Sequence, residues 1–341
     1  MSETLLTVKN LSKHFDISGG LLDQLSLSGG RLSRHKTLVK AVNNISFTLN
    51  AGETLSVVGE SGCGKSTLGR TIMGLYPPNN GEIYYREERI DRLSAKQVLP
   101  FRKKMQMVFQ DPYASLNPRK TIRQALEDPL RYHYPKLNNG EVRDRLEEVV
   151  LQVGGDPQWI TRLPHEFSGG QRQRMSIARA LIVDPEFIVA DEPISALDVS
   201  IQAQILNLMM DLQQKHHLTY LFVAHDLSVV EHISDRVGVM YLGKLAEVGP
   251  ADPLFATPKH PYTQGLIASV PVVSAEEEAM KPDIRHLRGE IPSPASVPSG
   301  CSFHTRCPKA FEPCYEVDPD FRTVGEAHRA RCLLYEEQPE A

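Results

Sequence analysis

The run Gly59-Glu-Ser-Gly-Cys-Gly-Lys-Ser66 constrains this 341-residue chain more than any other stretch. It fits G-x-x-x-x-G-K-[ST] in full, at Gly59, Gly64, Lys65 and Ser66. A strand-like segment, Thr54–Val58, precedes it, and a helix is expected from Ser66 to about Leu75. In that strand–loop–helix setting the glycines let successive N–H groups turn inward on an anion, and the new helix adds its positive end. Lys65 then reaches the β- and γ-phosphates of a nucleotide, and the Ser66 hydroxyl holds Mg²⁺ with Thr67 in support. Glu60, Ser61, Gly62 and Cys63 complete the cradle, Cys63 as a small residue that fits there.

Four further segments supply the groups such a cradle needs. Phe187-Ile-Val-Ala-Asp-Glu192 reads as a buried parallel strand with acids at its C-terminal end, where open α/β sheets bind ligands. Asp191 is suited to orient Mg²⁺ or its water, and Glu192 to polarise an attacking water. A second strand, Thr219–Ala224, ends at His225, which reads as a γ-phosphate sensor. Gln110 follows the apolar stretch Met105–Phe109 and is a candidate Mg²⁺ ligand. Ser168-Gly169-Gly170 opens a helix from about Gln171 to Ile182, with Met175, Ile177, Ala178 and Leu181 on one face and Arg172, Arg174 and Arg179 elsewhere. This is a second anion-seeking helix start without a lysine-bearing loop. The economical explanation is that it serves a nucleotide held by a partner chain.

Taken in order, these residues resemble the ATP-binding subunit of an ABC transporter, from about Leu5 to Gly249. Gly59–Thr67 matches Walker A, Gln110 the Q-loop and Ser168-Gly169-Gly170-Gln171 the signature, with Phe167 where Leu is commoner. Asp191 and Glu192 match Walker B and the catalytic glutamate, Ser195–Asp198 the D-loop, and His225 the H-loop. Phe15 stands where the family stacks an aromatic, usually Tyr, on adenine. The resemblance implies an α/β P-loop NTPase fold of ABC type, with an N-terminal antiparallel β layer and a helical subdomain at about 111–170. It also implies two such subunits stacked head to tail, each ATP lying between one Walker A and the other signature. Leu27-Ser-Gly-Gly-Arg31 imitates the signature but lacks the Gln and precedes Walker A; a flexible insertion at about 17–37 is the better reading.

Beyond residue 250 the chain carries Lys259-His-Pro-Tyr-Thr-Gln264 and Gly300-Cys-Ser-Phe-His-Thr-Arg-Cys-Pro308. These are similar to the C-terminal extension of oligopeptide and dipeptide importer ATPases, closest to their F-type subunits, and Asp111–Arg119 is typical of the same group. The expected division is a nucleotide-binding domain at 5–250 and a Cys-containing extension at 251–335. The resemblance implies a homologous rather than identical ATPase partner, two membrane-spanning permease subunits and, indirectly, an extracytoplasmic substrate-binding protein. Cargo within related systems spans dipeptides, longer peptides, nickel chelates, glutathione and antimicrobial peptides.

Cys301, Cys307, Cys314 and Cys332 cluster in this tail, which has little apolar periodicity. Such a tail buries little core by itself, and a bound metal or cluster would staple it. The gaps fit neither the short C-x₂-C zinc spacing nor ferredoxin spacing. Zinc, an iron–sulfur cluster and plain thiols stay open on spacing; the resemblance to related peptide importers favours [4Fe–4S] with these four thiolates.

No run of 18 apolar residues occurs, and the N-terminus lacks the basic start and apolar core of a signal peptide. A peripheral place on the cytoplasmic face of the inner membrane follows from the resemblance. The net charge of −4 argues against a dedicated nucleic-acid surface. A soluble ABC ATPase of repair or translation type fits less well. The gap between Walker A and signature is too short for a long coiled coil, and there is one cassette. A redox-sensing duty for the cysteines would be an addition to the ATPase.

Overall fold

The computed structural model describes residues 3–18, 25–28, 31–34, 37–111, 115–270, 287 and 289–335. The chain forms two compact units, one of Met1–Thr7, Thr48–Ser56 and Tyr84–Ala224, the other of Val8–Phe47, Val57–Ile83 and His225–Ala341.

In the first unit, three parallel strands lie in the order Thr219–Val223, Phe187–Asp191, Met105–Val108. All five residues of Phe187–Asp191 are buried. A strand covered on both faces has no reason to alternate, so it reads as a continuous apolar run. The helical part holds Ile122–His133, Asn139–Gln152 and Gly169–Leu181, which pack on one another. Each starts with a capping box: Thr121 with Gln124, Asn138 with Glu141, Ser168 with Gln171. Val142, Leu146, Val149 and Val150 form the buried stripe of the second helix, at the spacing of one helical face. The helix Val199–His216 buries Ile205, Met209 and Leu212; Ile201 and Leu208, which share their helical spacing, are only half-buried.

Glu186, just before the central strand, is the polar hub of this unit. It accepts from the Tyr85 hydroxyl at 2.7 Å and pairs with Arg86 and Lys104, both at 3.0 Å. Burial alone would raise its carboxyl pKa, but these donors outweigh burial and hold it at about 2.

In the second unit, four strands lie in the order Arg322–Gly325, His328–Ala330, Lys244–Pro250, Arg236–Tyr241, each antiparallel to the next. The tail is therefore more regular than its proline content suggests: Ala330 and Arg329 pair with Glu247 and Val248. The tie is polar as well. Glu247 is fully buried, and its carboxylate accepts from the Lys259 and His260 amides at 2.7 and 2.8 Å and pairs with His328 Nε2 at 2.7 Å. Phe303 packs against Tyr241, Tyr262 and His260, with ring centroids 5.2 to 5.6 Å apart.

The N-terminal layer is a four-stranded sheet in the order Leu38–Asn50, Thr4–Asp16, Asn80–Tyr85, Glu88–Arg89. The stretch read as an insertion contains a two-stranded antiparallel hairpin, Leu25–Ser28 with Arg31–Arg34. Ser28 pairs with Arg31 there, so the signature look-alike sits at a hairpin and not at a helix start. Its Gly29 and Gly30 lie outside the described residues, as do Pro112, Tyr113 and Ala114 of the Asp111–Arg119 segment.

Candidate nucleotide site

The phosphate loop lies in the second unit. The strand Thr54–Val58 is buried throughout and gives way to Gly59, Gly62 and Gly64 with φ of +152°, +81° and +109°, angles that side-chain-bearing residues rarely adopt. Space excludes side chains at two of them. A Cβ on Gly59 would lie 2.2 Å from the Met240 carbonyl oxygen, and one on Gly64 would lie 1.8 Å from that of Ala41. Gly64 is the left-handed N-cap of the helix Lys65–Ile72, so its amides open toward the loop without a side-chain cap. The Lys65 ammonium is nearly buried and donates to the Gly59 and Glu60 carbonyls at 2.7 and 3.1 Å. Those bonds aim the charge along the loop. Cys63 is buried beside it, its thiol pKa raised by that burial. Phe15, the adenine-stacking candidate, meets Tyr76 edge to face at 5.4 Å, with the Lys13 ammonium 5.1 Å from its ring centre. His225, also in this unit, is exposed just past its strand.

The acidic residues lie in the first unit. Asp191 ends the central strand and is fully buried. Glu192 follows with φ of +46°, a strained conformation held from both sides. Its amide donates to the Val223 carbonyl at 2.9 Å, and its own carbonyl accepts from the Ser195 hydroxyl at 3.1 Å. Gln110 Nε2 donates to the Glu192 carboxylate at 2.8 Å. The two residues read separately from the sequence are thus one pair. Asp198 occupies the N-cap position of Val199–His216, but its side chain makes no capping bond. Gln202, which sequence reasoning passed over, fixes the D-loop through the Ile194 and Leu197 carbonyls at 3.2 and 3.0 Å.

The signature helix begins at Gly169, with the Ser168 hydroxyl accepting from the Gln171 amide at 3.3 Å and the Gln171 side chain accepting from the Ser168 amide at 3.0 Å. Gly170 is packed so closely that a Cβ would lie 2.5 Å from Ile201. Met175, Ile177, Ala178 and Leu181 are buried as expected, but Arg172 is buried too. Its guanidinium donates to the Pro164 and Phe167 carbonyls, both at 2.9 Å, which is how a charge survives on the core face. Phe167 packs edge to face on Trp159 at 5.4 Å, so the unusual aromatic at the signature's first position has a partner.

The four late cysteines are free thiols. Burial pushes Cys332 up to about 12 and Cys301 up to about 11, with the other thiols of the set adding to it. Among the described residues no group of three or more His, Cys, Asp or Glu stands close enough to hold a metal ion.

A glycine-shaped phosphate loop, a buried aspartate and a following glutamate at a parallel strand end, and a capped second helix start define an ABC-type ATPase, a mixed α/β fold with an antiparallel sheet. Known proteins agree. The profile of ABC transporters matches residues 42–195, and that of the oligopeptide/dipeptide transporter C-terminal region matches 246–314. The oligopeptide transport ATP-binding protein AppF of Bacillus subtilis is 51% identical over 98% of this chain and 98% of its own length. The dipeptide transport ATP-binding protein DppF of Escherichia coli is 45% identical over 95% and 93%. A dimeric post-hydrolysis structure of the ATP-binding cassette MJ0796 with ADP and Pi superposes with a TM-score of 0.60 at 28% identity, covering 72% of this chain and 99% of that one. The chain belongs to the ABC transporter ATP-binding proteins of the oligopeptide/dipeptide family.

Proposed function

We propose that this protein binds and hydrolyses ATP to drive import of dipeptides or oligopeptides, as a peripheral subunit on the cytoplasmic face of the inner membrane. The observation that carries the reading is that one chain joins a complete phosphate loop to the oligopeptide/dipeptide C-terminal region. Among the described residues no helix is long and apolar enough to cross a membrane. Membership of the peptide-transporter family supports two membrane-spanning permease subunits as partners, fed by an extracytoplasmic binding protein. The nucleotide-binding domain spans 5–250 and the extension 251–335.

Gly59 to Thr67 hold the triphosphate, Ser66, Gln110 and Asp191 hold Mg²⁺, and Phe15 stacks on the base. Ser168 to Gln171 and Asp198 complete the site of a second, homologous ATPase. Glu192 activates water while Lys65 and the facing signature hold the developing charge. His225 senses the γ-phosphate. Gln110, bonded to Glu192, passes nucleotide state to the permease contact.

The thiols Cys301, Cys307, Cys314 and Cys332 take a [4Fe–4S] cluster, which staples the extension. The support is the donor set itself: four free thiols, with Cys301, Cys307 and Cys314 each helping to raise the pKa of Cys332. Iron analysis and the visible spectrum of anaerobically purified protein test the cluster; colourless, iron-free protein contradicts it. Co-purification from membranes with permease subunits, and peptide uptake lost on Lys65→Ala, test the transport reading.

A further inference from the structure

Glu60, the second residue of the phosphate loop, is held from the C-terminal extension at two points. Its amide donates to the Tyr262 hydroxyl at 3.0 Å. Its carboxylate takes both ends of the Arg306 guanidinium, Oε2 at 2.6 Å and Oε1 at 3.0 Å. Its carbonyl accepts from Lys65. Amide, carbonyl and side chain of one loop residue are therefore all fixed. Arg306 is almost fully buried and sits between Cys301 and Cys307 in sequence, with Tyr241 beneath its guanidinium at 5.9 Å. A two-pronged arginine–carboxylate pair of this kind has little freedom to rotate.

We propose that Arg306 is a positioning and charge-neutralising residue of the nucleotide site, and that the extension is thereby part of the phosphate loop's working structure. The inference rests on the reading that this loop binds ATP phosphates. Two effects make the pair matter. The loop's amides recognise phosphate only when the backbone is preorganised. An uncompensated carboxylate on this loop residue would repel a triphosphate, and Arg306 cancels that charge locally. Tyr262 contributes the first effect only, because its hydroxyl bonds backbone.

The test is equilibrium binding of ATP to the full-length protein, comparing wild type, Arg306→Ala, Glu60→Gln, the double variant and Lys65→Ala. Arg306→Ala is expected to weaken ATP binding about tenfold. The double variant is expected to bind ATP more tightly than Arg306→Ala, because removing the stranded carboxylate removes the repulsion. A purely structural role for Arg306 would give no such recovery. Unchanged affinity in Arg306→Ala, or a double variant no better than it, overturns the proposal. If Lys65→Ala also left affinity untouched, the reading of the loop itself would fail; if Lys65→Ala weakened binding while Arg306→Ala did not, only the role of Arg306 would.

Discussion

Gln110 donates to the carboxylate of Glu192 at 2.8 Å, joining the end of one parallel strand to the acid beyond its neighbour. This bond places Glu192 by its side chain, and the Val223 and Ser195 bonds place it by its backbone. A general base must be held where its proton is taken, and the left-handed φ at Glu192 is maintained only because these contacts over-determine it.

Replacing Glu192 by Gln keeps the shape and removes the carboxylate proposed above to activate water. ATP binding should persist while turnover falls on the order of a hundredfold or more. Nucleotide binding and phosphate release, measured on the same preparation, check this; near-normal release contradicts the role.

Gly64→Ala should abolish nucleotide binding. A methyl group there meets the Ala41 carbonyl at 1.8 Å, at a φ of +109°. Gly52, with positive φ but nothing within 4 Å, is the comparison site: Gly52→Ala should cost only about 1 kcal/mol of backbone strain. Binding isotherms and melting curves of the two variants separate geometry from general instability.

Loss of the Ser168 hydroxyl removes one orphan-amide partner at the signature helix. Ser168→Ala should lower stability by about 1 kcal/mol and also depress hydrolysis, whereas Asn138→Ala, which removes a cap of the same kind on another helix, should lower stability alone. Thermal melts set against turnover distinguish the two.

Burial lowers the His260 pKa to about 4, with Glu247 opposing. An unfolded imidazole titrates near 6.5. Between those values the unfolded chain takes up a proton that the fold refuses, so stability falls as pH drops from about 6.5 to 4 and is unaffected by this group above 6.5. His260→Asn, whose oxygen can replace Nδ1 as acceptor for the Tyr262 amide, should flatten that slope in denaturant titrations across the window.

Much of this site is legible locally. The phosphate loop, the strand Phe187–Asp191 and the Ser168 cap each rest on residues adjacent in sequence, where motif and periodicity speak directly. What the sequence hides is non-local or locally inconsistent. Glu60 and Arg306 are 246 positions apart, and nothing near either announces the other. Arg172 looks like a surface charge because its compensation comes from two backbone carbonyls, which have no sequence signature. The strand His328–Ala330 is three residues long, too short for alternation to register, and is held by pairing with Lys244–Pro250 and by the His328–Glu247 bond.

The central claim is a composite pocket, with the phosphate loop of one ATPase closed by the signature of another. Its most direct test is ATP hydrolysis by the assembled transporter with Ser168→Arg and Gly169→Asp introduced in every ATPase subunit at the equivalent positions, alongside ATP binding. The expected result is binding retained at each phosphate loop with hydrolysis lost; hydrolysis at the wild-type rate would contradict the pocket.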